Sequence, residues 1–444
     1  MIALFANRTY AALFAAQVIA LLGTGLLTVA LGLLAYDLAG GRAGLVLGTA
    51  FTIKMVCYVG LSPPAQALVQ RLPRKPVLVA ADLARVAVAL CLPFVTEVWQ
   101  IYGLIFLLQA ASATFTPAYQ ATLPDLLADE RDYTRALSLS RLAYDLENLT
   151  SPALAALLLT VTGYNALFVG TALGFAGSAL LIGRAAVPPL DPAAGARPFR
   201  ERLTRGARIY LATPRLRGLL ALNFAAAAAG AFMLVNTVVL VRGRMGGSEA
   251  DLALAMAAFG AGSMVAALAL PPLMDRVRDR AVMLSGGVGA ALTCLGAGAW
   301  MGLAGLPGWP AFLGLWGVVG LFYATVLTPS GRLLRRSAHA QDRPAIFAAQ
   351  FALSHACWLV TYPLAGWAGA GLGMGAALAL LGALALAAVG VARHLWPAEP
   401  GGVMEHEHPD LPPDHPHLRA HRGRRRHAHV FVIDDEHRVW PTQG

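Results

Sequence analysis

About twelve long apolar blocks, separated by short loops whose arginines fall on alternate sides, constrain this chain more than any other feature. Crossing roughly 30 Å of hydrocarbon takes about 20 apolar residues in a helix. The blocks meet that length at 10–34, 45–69, 76–95, 100–119, 138–162, 165–186, 217–241, 252–274, 281–302, 309–333, 345–370 and 373–396. A transmembrane β-barrel would instead show alternating segments of about ten residues. Hydrophobic residues make up 57% of the chain and charged ones 13%, with a mean hydropathy of +0.61. The expected fold is all-α and integral to a membrane, with about 12 transmembrane helices. The first block is too long for the apolar region of a signal peptide and lacks an A-x-A-like cleavage site, so it is expected to stay in the mature protein.

Arginine and lysine in short loops resist translocation and so report orientation. One set of loops holds Arg71, Arg74 and Lys75; Arg131 and Arg135; Arg276, Arg278 and Arg280; and Arg332, Arg335, Arg336 and Arg343. The intervening loops hold few cations, with Arg42, Arg242 and Arg244 as the exceptions. The basic set is expected on the cytoplasmic side, and an even helix count places both termini there. The Arg-dominated, Ala-rich, Lys-poor composition points to a bacterium with a GC-rich genome, and hence to the inner (plasma) membrane.

The net charge of +10 belongs to that topology. Residues 397–444 hold six Arg against eight Asp or Glu, a net of −2, which leaves +12 on the membrane body. Basic patches interleaved with aromatics, the mark of a nucleic-acid binder, are missing. Cys57, Cys91, Cys294 and Cys357 lie singly in apolar blocks without paired spacing, which argues against disulfides and structural zinc and for reduced packing residues. No G-x-x-x-x-G-K-[ST] sequence is present, so ATP is not expected to drive the protein directly. The expectation is a non-enzymatic monomer with no cofactor, whose partners are lipid, protons and a small molecule or ion.

The chain divides into 1–186, a linker at 187–216, a second set of helices at 217–396 and a tail at 397–444. The linker carries Pro188, Pro189, Pro192 and Pro198, then Arg197, Arg200, Arg202, Arg205, Arg208, Arg215 and Arg217, a pattern expected of a basic helix lying on an anionic leaflet. Six helices, a linker and six more suggest related bundles with a path between them. The loops after the second and eighth blocks agree, since Gln70-Arg71-Leu72-Pro73-Arg74-Lys75 lines up with Asp275-Arg276-Val277-Arg278-Asp279-Arg280. On these residues the chain resembles the major facilitator superfamily, whose hallmark between helices two and three is a Gly-x-Leu-x-Asp-Arg-x-Gly-Arg-Arg type motif. The resemblance covers about residues 10–396 and implies two six-helix bundles that alternate access. The acidic position of the motif is Gln70 in the first half and Asp275 in the second, so Asp82 and Arg85 are candidates for a substitute charge pair.

Ionisable groups within a membrane cost at least about 2–3 kcal/mol each and are functional candidates. The fifth block carries Arg141, Asp145, Asn148 and Pro152 on one helical stripe, with Glu147 beside it. If Arg141 and Asp145 neutralise each other, Glu147 is the unpaired acid. A carboxylate in a low-dielectric wall can exchange a proton near neutral pH, so Asp145 and Glu147 are the proton-coupling candidates. The alternative is that all three charges hold neighbouring helices together. The same segment resembles the superfamily's antiporter motif, with Pro152 retained and Ser151, Ala155 and Ala156 at glycine positions, which favours export. Lys54, deep in the second block, calls for an acid on another helix or a water-filled path. Gln350, His355, Cys357 and Tyr362 on the eleventh block, and Asn223 and Asn236 on the seventh, either line that path or bond helices together.

The tail holds eight of the eleven histidines, His406, His408, His415, His417, His421, His427, His429 and His437, among carboxylates. Imidazole is the common ligand of Ni²⁺, Co²⁺, Zn²⁺ and Cu²⁺, although a solvated tail with incidental histidines reads the same way. Proline and charge leave no core to bury, so flexibility is expected, with Val430–Ile433 as one possible short strand. With its tail the chain resembles the superfamily's His-tailed nickel-resistance exporters. The leading expectation is proton-coupled export of a divalent metal such as nickel or cobalt, driven by the proton gradient. The alternatives are export of a drug or siderophore with a regulatory tail, and a membrane metal sensor that transports nothing. An aromatic-lined cavity would favour the organic cargo, and several convergent ligands the metal.

Overall fold

The computed structural model describes residues 2–61, 72–127, 130–187, 199–339, 342–396, 403–407, 426–434, 437 and 440. Helix α1 (Arg8–Ala39) starts on Asn7, whose side-chain oxygen accepts the backbone N–H groups of Thr9 and Tyr10, each at 3.1 Å. That satisfies two of the amides a helix start leaves open. At Gly40 the backbone takes a φ of 52°, a left-handed conformation that glycine adopts without a steric penalty. The chain turns there and continues as α2 (Ala43–Val56), which ends in a π turn over Cys57–Leu61. Next come α3 (Arg74–Cys91), α4 (Val98–Leu126), α5 (Glu130–Leu159) and α6 (Asn165–Arg184). The linker helix is α7 (Phe199–Ala212). It is followed by α8 (Pro214–Val238) with a π turn at Val239–Arg244, then α9 (Glu249–Met274), α10 (Asp279–Leu303), and α11 (Trp309–Leu327) with its extension α12 (Ser330–Arg336). Helices α13 (Arg343–Gly371) and α14 (Met374–Leu395) complete the body.

Ten stretches are long and apolar enough to cross a membrane, one of them, Arg8–Leu61, holding both α1 and α2. Charges in α5 keep it from that count, and with it the described residues contain the twelve expected spanning helices. The protein is thus an all-α, multi-pass membrane protein. Pro152 and Pro363 lie inside α5 and α13, where neighbouring helices can satisfy the freed carbonyls.

Packing repeats between the two sets of helices. In the first, α1 packs on α5 and α6, and α3 packs on α4 and α6; in the second, α8 packs on α13 and α14, and α10 packs on α11 and α14. Because lipid offers no hydrophobic drive for helix association, close backbone approach at small residues supplies the contact. Thr171 donates its hydroxyl to the Gly23 carbonyl at 2.8 Å, and a Cβ on Gly23 would sit 3.1 Å from the Thr171 carbonyl oxygen. Between α10 and α14, a Cβ on Gly298 would fall 2.6 Å from the Ala379 amide nitrogen and 2.7 Å from the Gly375 carbonyl oxygen. Gly298→Leu is therefore expected to destabilise the fold by about 1–3 kcal/mol through overpacking. A lowered melting temperature of the purified protein in detergent, set against Gly296→Leu in open space on the same helix, checks it.

The arginine-rich loops gather at one face. The register read from the loop motifs is realised there, since Lys75 donates to the Ala185 carbonyl at 3.0 Å and Arg280 to the Trp396 carbonyl at 2.6 Å. Each cation thus closes the carboxyl end of the last helix of its set, where the helix dipole favours positive charge. Linker helix α7 does not lie free on the surface as expected but docks on α13. Arg205 holds Asp342 through two hydrogen bonds of 2.6 and 3.1 Å, and a Cβ on Gly206 would overlap the Ala345 carbonyl. Tyr210 donates to Gln350, and burial raises its phenol above the usual range.

The two sets meet through α2 against α13 and α5 against α9. At the arginine-poor face this contact is made by backbone. A Cβ on Gly48 would sit 2.7 Å from the Tyr362 carbonyl oxygen, and one on Gly366 2.6 Å from the Gly44 carbonyl oxygen. Asn236 of α8 is wedged between Gly44 and Gly369, where a Cβ on either glycine would overlap its side-chain oxygen. Tyr164 donates its backbone N–H to Glu249 at 3.1 Å across the same seam. Burial, and then a hydrogen bond with Asp37, raise the Tyr164 phenol above its usual range.

The described residues of the tail include ordered elements. Strands β1 (Val403–Glu407) and β2 (Arg426–Val430) pair antiparallel, with His406 opposite His427. Val430 ends the second strand, and Phe431, Val432 and Ile433 are not extended pairing residues but buried ones. Three consecutive apolar side chains cover enough surface to be worth burying, which the surrounding charge and proline obscured.

Candidate functional site

Lys54 lies on the last turn of α2, just before the π turn, and Glu147 lies in the middle of α5. The structure sets them within electrostatic reach of each other. Both are partly accessible and, among the described residues, they make no direct salt bridge. Helix α5 reaches this position because Gly25 of α1 has no side chain. A Cβ there would overlap Ser151 and lie 3.6 Å from Glu147 Cγ. Pro152 and Ser151 are buried at that contact, and Ser151 Oγ has no hydrogen-bond partner among the described residues. The antiporter-like residues therefore act as the small surface that sets Glu147 against α1.

Polar groups extend from the pair into the first bundle. Gln17 accepts hydrogen bonds from Tyr119 Oη at 2.9 Å and Ser140 Oγ at 3.0 Å, and Tyr144 lies in the field of Glu147. Asp82 and Arg85, the candidate charge pair, lie within α3 and away from the loop. They pair with each other inside the bundle, the guanidinium lying 4.3 Å from the Phe115 ring centroid and 4.5 Å from that of Phe175.

The facing wall comes from α13, where Phe351, His355, Trp358 and Tyr362 recur at helical spacing and share a face. Helix α2 presents Phe51 and Lys54 to them, and the π turn that follows presents Tyr58. Ring centroids lie 5.0 Å apart for Phe51 and Tyr362, 6.0 Å for Tyr58 and Phe351, and 5.3 Å for Tyr58 and His355. The Lys54 ammonium is 5.8 Å from the Tyr58 ring centroid. Tyr323 extends the wall through Trp358. His355 donates from Nδ1 to the Phe351 carbonyl at 2.6 Å, which orients the ring and directs Nε2 away from that carbonyl. The arrangement is an aromatic seam between bundles with a cation and an acid on one side, suited to a flat or amphipathic guest and to a proton held at Glu147.

Other expected site residues fall elsewhere. Gln350 accepts from Tyr210 and anchors the linker helix. Asn236 donates to the Ala365 carbonyl at 2.9 Å and is a wedge in the closed seam, not a cavity wall; its oxygen has no partner among the described residues. Asn223 is buried in α8 with an unpartnered amide nitrogen among the described residues. The side chains of Arg141, Asp145 and Asn148 lie outside the described residues, as do Gln70 and Arg71. Asp275 and Arg276 are exposed, and the ion pair of the second-half motif forms one turn later. Asp279 accepts from Arg332 Nε at 2.8 Å and lies 3.5 Å from Arg336, while Arg332 also donates to the Met274 carbonyl at 2.9 Å. Arg332 and Arg336 of α12 meet the acid that begins α10, a pairing that loop spacing does not reveal.

No group of three His, Cys, Asp or Glu side chains placed to hold a metal occurs among the described residues. Of the tail histidines, His427 and His437 are buried; His408, His415, His417 and His421, and the side chains of His406 and His429, lie outside the described residues. The four cysteines are unpaired, and Cys91 is exposed, not packed.

Comparison with known proteins adds the following. The model of the Major Facilitator Superfamily matches residues 13–247 and again 220–431. Macrolide efflux protein A of Streptococcus pyogenes is 27% identical over 183 residues, 40% of this chain and 44% of that protein. The protein of the same name from Enterococcus faecalis is 30% identical over 138 residues, 29% of this chain and 42% of that one. The matched region thus spans less than half the length of these relatives. Among solved structures, a bacterial homologue of the human lysosomal transporter Spinster, inward-facing and unoccupied, superposes with a TM-score of 0.64 at 12% identity, covering 88% of this chain and 95% of that one. A POT family transporter in complex with a thioalcohol-conjugated peptide gives 0.66 at 13% identity, covering 86% and 95%. At those identities the likeness is one of fold.

Proposed function

This chain belongs to the Major Facilitator Superfamily, and from that premise we propose that it exports amphipathic organic compounds in exchange for protons, from the cytoplasm across the bacterial inner membrane. The observation that carries the reading is the aromatic seam of α2 and α13 set against Lys54 and Glu147. Rings bind flat apolar surface with little loss of conformational freedom, and the charged pair supplies a polar anchor. The efflux named for the macrolide relatives supports an organic cargo. The metal cargo expected from the tail lacks the convergent ligands it requires among the described residues, so the organic alternative replaces it as the first reading.

In this reading the arginine-rich face is cytoplasmic, and the closed arginine-poor face makes the described state open toward the cytoplasm. Cargo enters between α2 and α13, the bundles rock about it, and Glu147 takes a proton from outside as cargo leaves. Lys54 supplies the nearby cation that the proton or the cargo competes with at this site.

Removing a ring weakens cargo binding without removing coupling. Trp358→Ala is expected to raise KM about fivefold, the equivalent of one aromatic contact of about 1 kcal/mol, and to leave kcat within about twofold. Export of a macrolide and of a fluorescent organic cation from energised cells or vesicles tests this. Unchanged accumulation of every organic probe in cells with and without the protein, together with lowered nickel or cobalt, would return the metal reading.

A further inference from the structure

Tyr58 touches both halves of the candidate site. Its ring stands edge-on to Phe351 and His355 of α13, with centroids 6.0 and 5.3 Å away. The Lys54 ammonium lies 5.8 Å from the centroid of the same ring. The local sequence explains this position. Lys54 and Tyr58 are four positions apart and so share one side of the chain as it leaves α2. The π turn Cys57–Leu61 begins there, and Cys57 Sγ lies 3.9 Å from the Phe106 carbonyl oxygen of α4. The backbone of the turn is thus held by the first set of helices, while the Tyr58 ring reaches the second. Single π turns on a helix recur at functional sites.

The distances decide what a guest does here. A flat ring inserted between two others needs about 7 Å, two contacts of about 3.5 Å each. The separations at Tyr58 are shorter, so a guest that lies on Phe351 or His355 displaces the tyrosine. Displacement takes the ring from the Lys54 ammonium, which is drawn to its face by a cation–π attraction. The ammonium then turns its charge on Glu147, which lies within electrostatic reach. A carboxylate answers a nearby cation better than a carboxylic acid does, so the Glu147 proton passes to water on the cytoplasmic side as cargo arrives. Among the described residues, the other titratable groups facing this place are Tyr144 of α5 and Arg85 of α3, the latter held by Asp82 and in the field of Tyr58. Helices α1 and α9, which pack on α5, carry charge only near their ends.

We propose that Tyr58 couples cargo to the proton: its ring is shared between the wall of α13 and the ammonium of Lys54, and cargo that takes its place on Phe351 and His355 releases Lys54 to act on Glu147. This role rests on the reading of the protein as an exporter that exchanges organic cargo for protons.

Calorimetric titration of the full chain in detergent tests it, with tetraphenylphosphonium as the probe, a multi-ringed cation that carries no proton of its own. Repeating the titration in buffers of different ionisation heat counts the protons released per ion bound. Tyr58→Leu is expected to bind the probe about 2- to 10-fold more tightly, the worth of the aromatic pair the probe no longer breaks, and to release about fivefold fewer protons per ion. Tyr58→Phe keeps the ring and is expected to restore both values. A tyrosine that served only as a wall would weaken binding on its removal and leave the proton count unchanged, and that result overturns the coupling role while the cargo site stands. Lys54→Met provides the second variant should Tyr58→Leu fail to fold: it is expected to release equally few protons, and undiminished release overturns the role. Absence of probe binding by the unmodified chain overturns the aromatic cargo site and the role of Tyr58 with it.

Discussion

Gly44→Val is expected to abolish transport while leaving the protein folded. Gly44 accepts the side chain of Asn236 on one side and the backbone of Gly366 on the other, and a Cβ at this position already overlaps the asparagine oxygen. Valine adds two methyl groups beyond that carbon, at a contact made only when α2 meets α8 and α13. The open form loses nothing, so the overpacking cost of about 1–3 kcal/mol falls on the closed form and lowers its population about 5- to 150-fold. Transport turnover should drop at least tenfold, and a cysteine placed at buried Ala365 of the seam, with the four native cysteines replaced, should label faster than in the same background without the valine. Near-normal turnover would show that the seam has room the structure does not reveal. Asn236→Leu tests the same contact from the other side. It removes the side-chain oxygen that has no partner among the described residues, a desolvation cost of about 1–3 kcal/mol, together with the donation to the Ala365 carbonyl, worth about 0.5–1.5 kcal/mol, so the closed seam gains the difference and modestly slower labelling at Ala365 is the expected result.

Glu147→Gln is expected to uncouple export from the proton gradient. The substitution keeps the shape that fits beside Gly25 and removes the group that can gain and lose a proton. Uphill export driven by an imposed pH difference should fall at least tenfold, since a transition without its coupling ion has no downhill step to draw on. Binding of a fluorescent organic probe should persist, because the rings of α13 are untouched. The change leaves Lys54 without the acid that acts on it. Isolating a charge in such a place costs about 3–5 kcal/mol when it is fully enclosed and less where water reaches it. Lys54→Met together with Glu147→Gln should therefore recover thermal stability but not coupled export. Coupled export that survives in both variants would move the proton site to Asp145 or another acid.

Patterns along the chain carried the coarse architecture well. A span needs only length and apolarity, so the blocks lie on helices throughout their described residues, and the loop repeat placed Lys75 and Arg280 in equivalent roles. The chemistry of Glu147 and Lys54 was visible because charge in an apolar block is expensive. On α13, His355 and Tyr362 were visible as polar rings, whereas Phe351 and Trp358 were not, because an apolar ring among apolar neighbours has no contrast to separate a cavity wall from a lipid-facing side. Asp275 was chosen over Asp279 because the motif was aligned by loop position, whereas Arg332 selects its acid by reach.

The sequence by itself determined how many times the chain crosses, where the linker falls and which side chains are too costly to be idle. Each of those is a local property, set by the free energy of placing one segment or one group in hydrocarbon. Only the tertiary structure decided that Glu147 answers Lys54, that Phe351, His355, Trp358 and Tyr362 face Phe51 and Tyr58, that Asn236 seals the arginine-poor face, and that Trp440 returns to Arg215. Those pairings join residues tens to hundreds of positions apart. Which of many chemically equal partners meet is set by the packing of small residues between helices, where a single missing Cβ decides the approach.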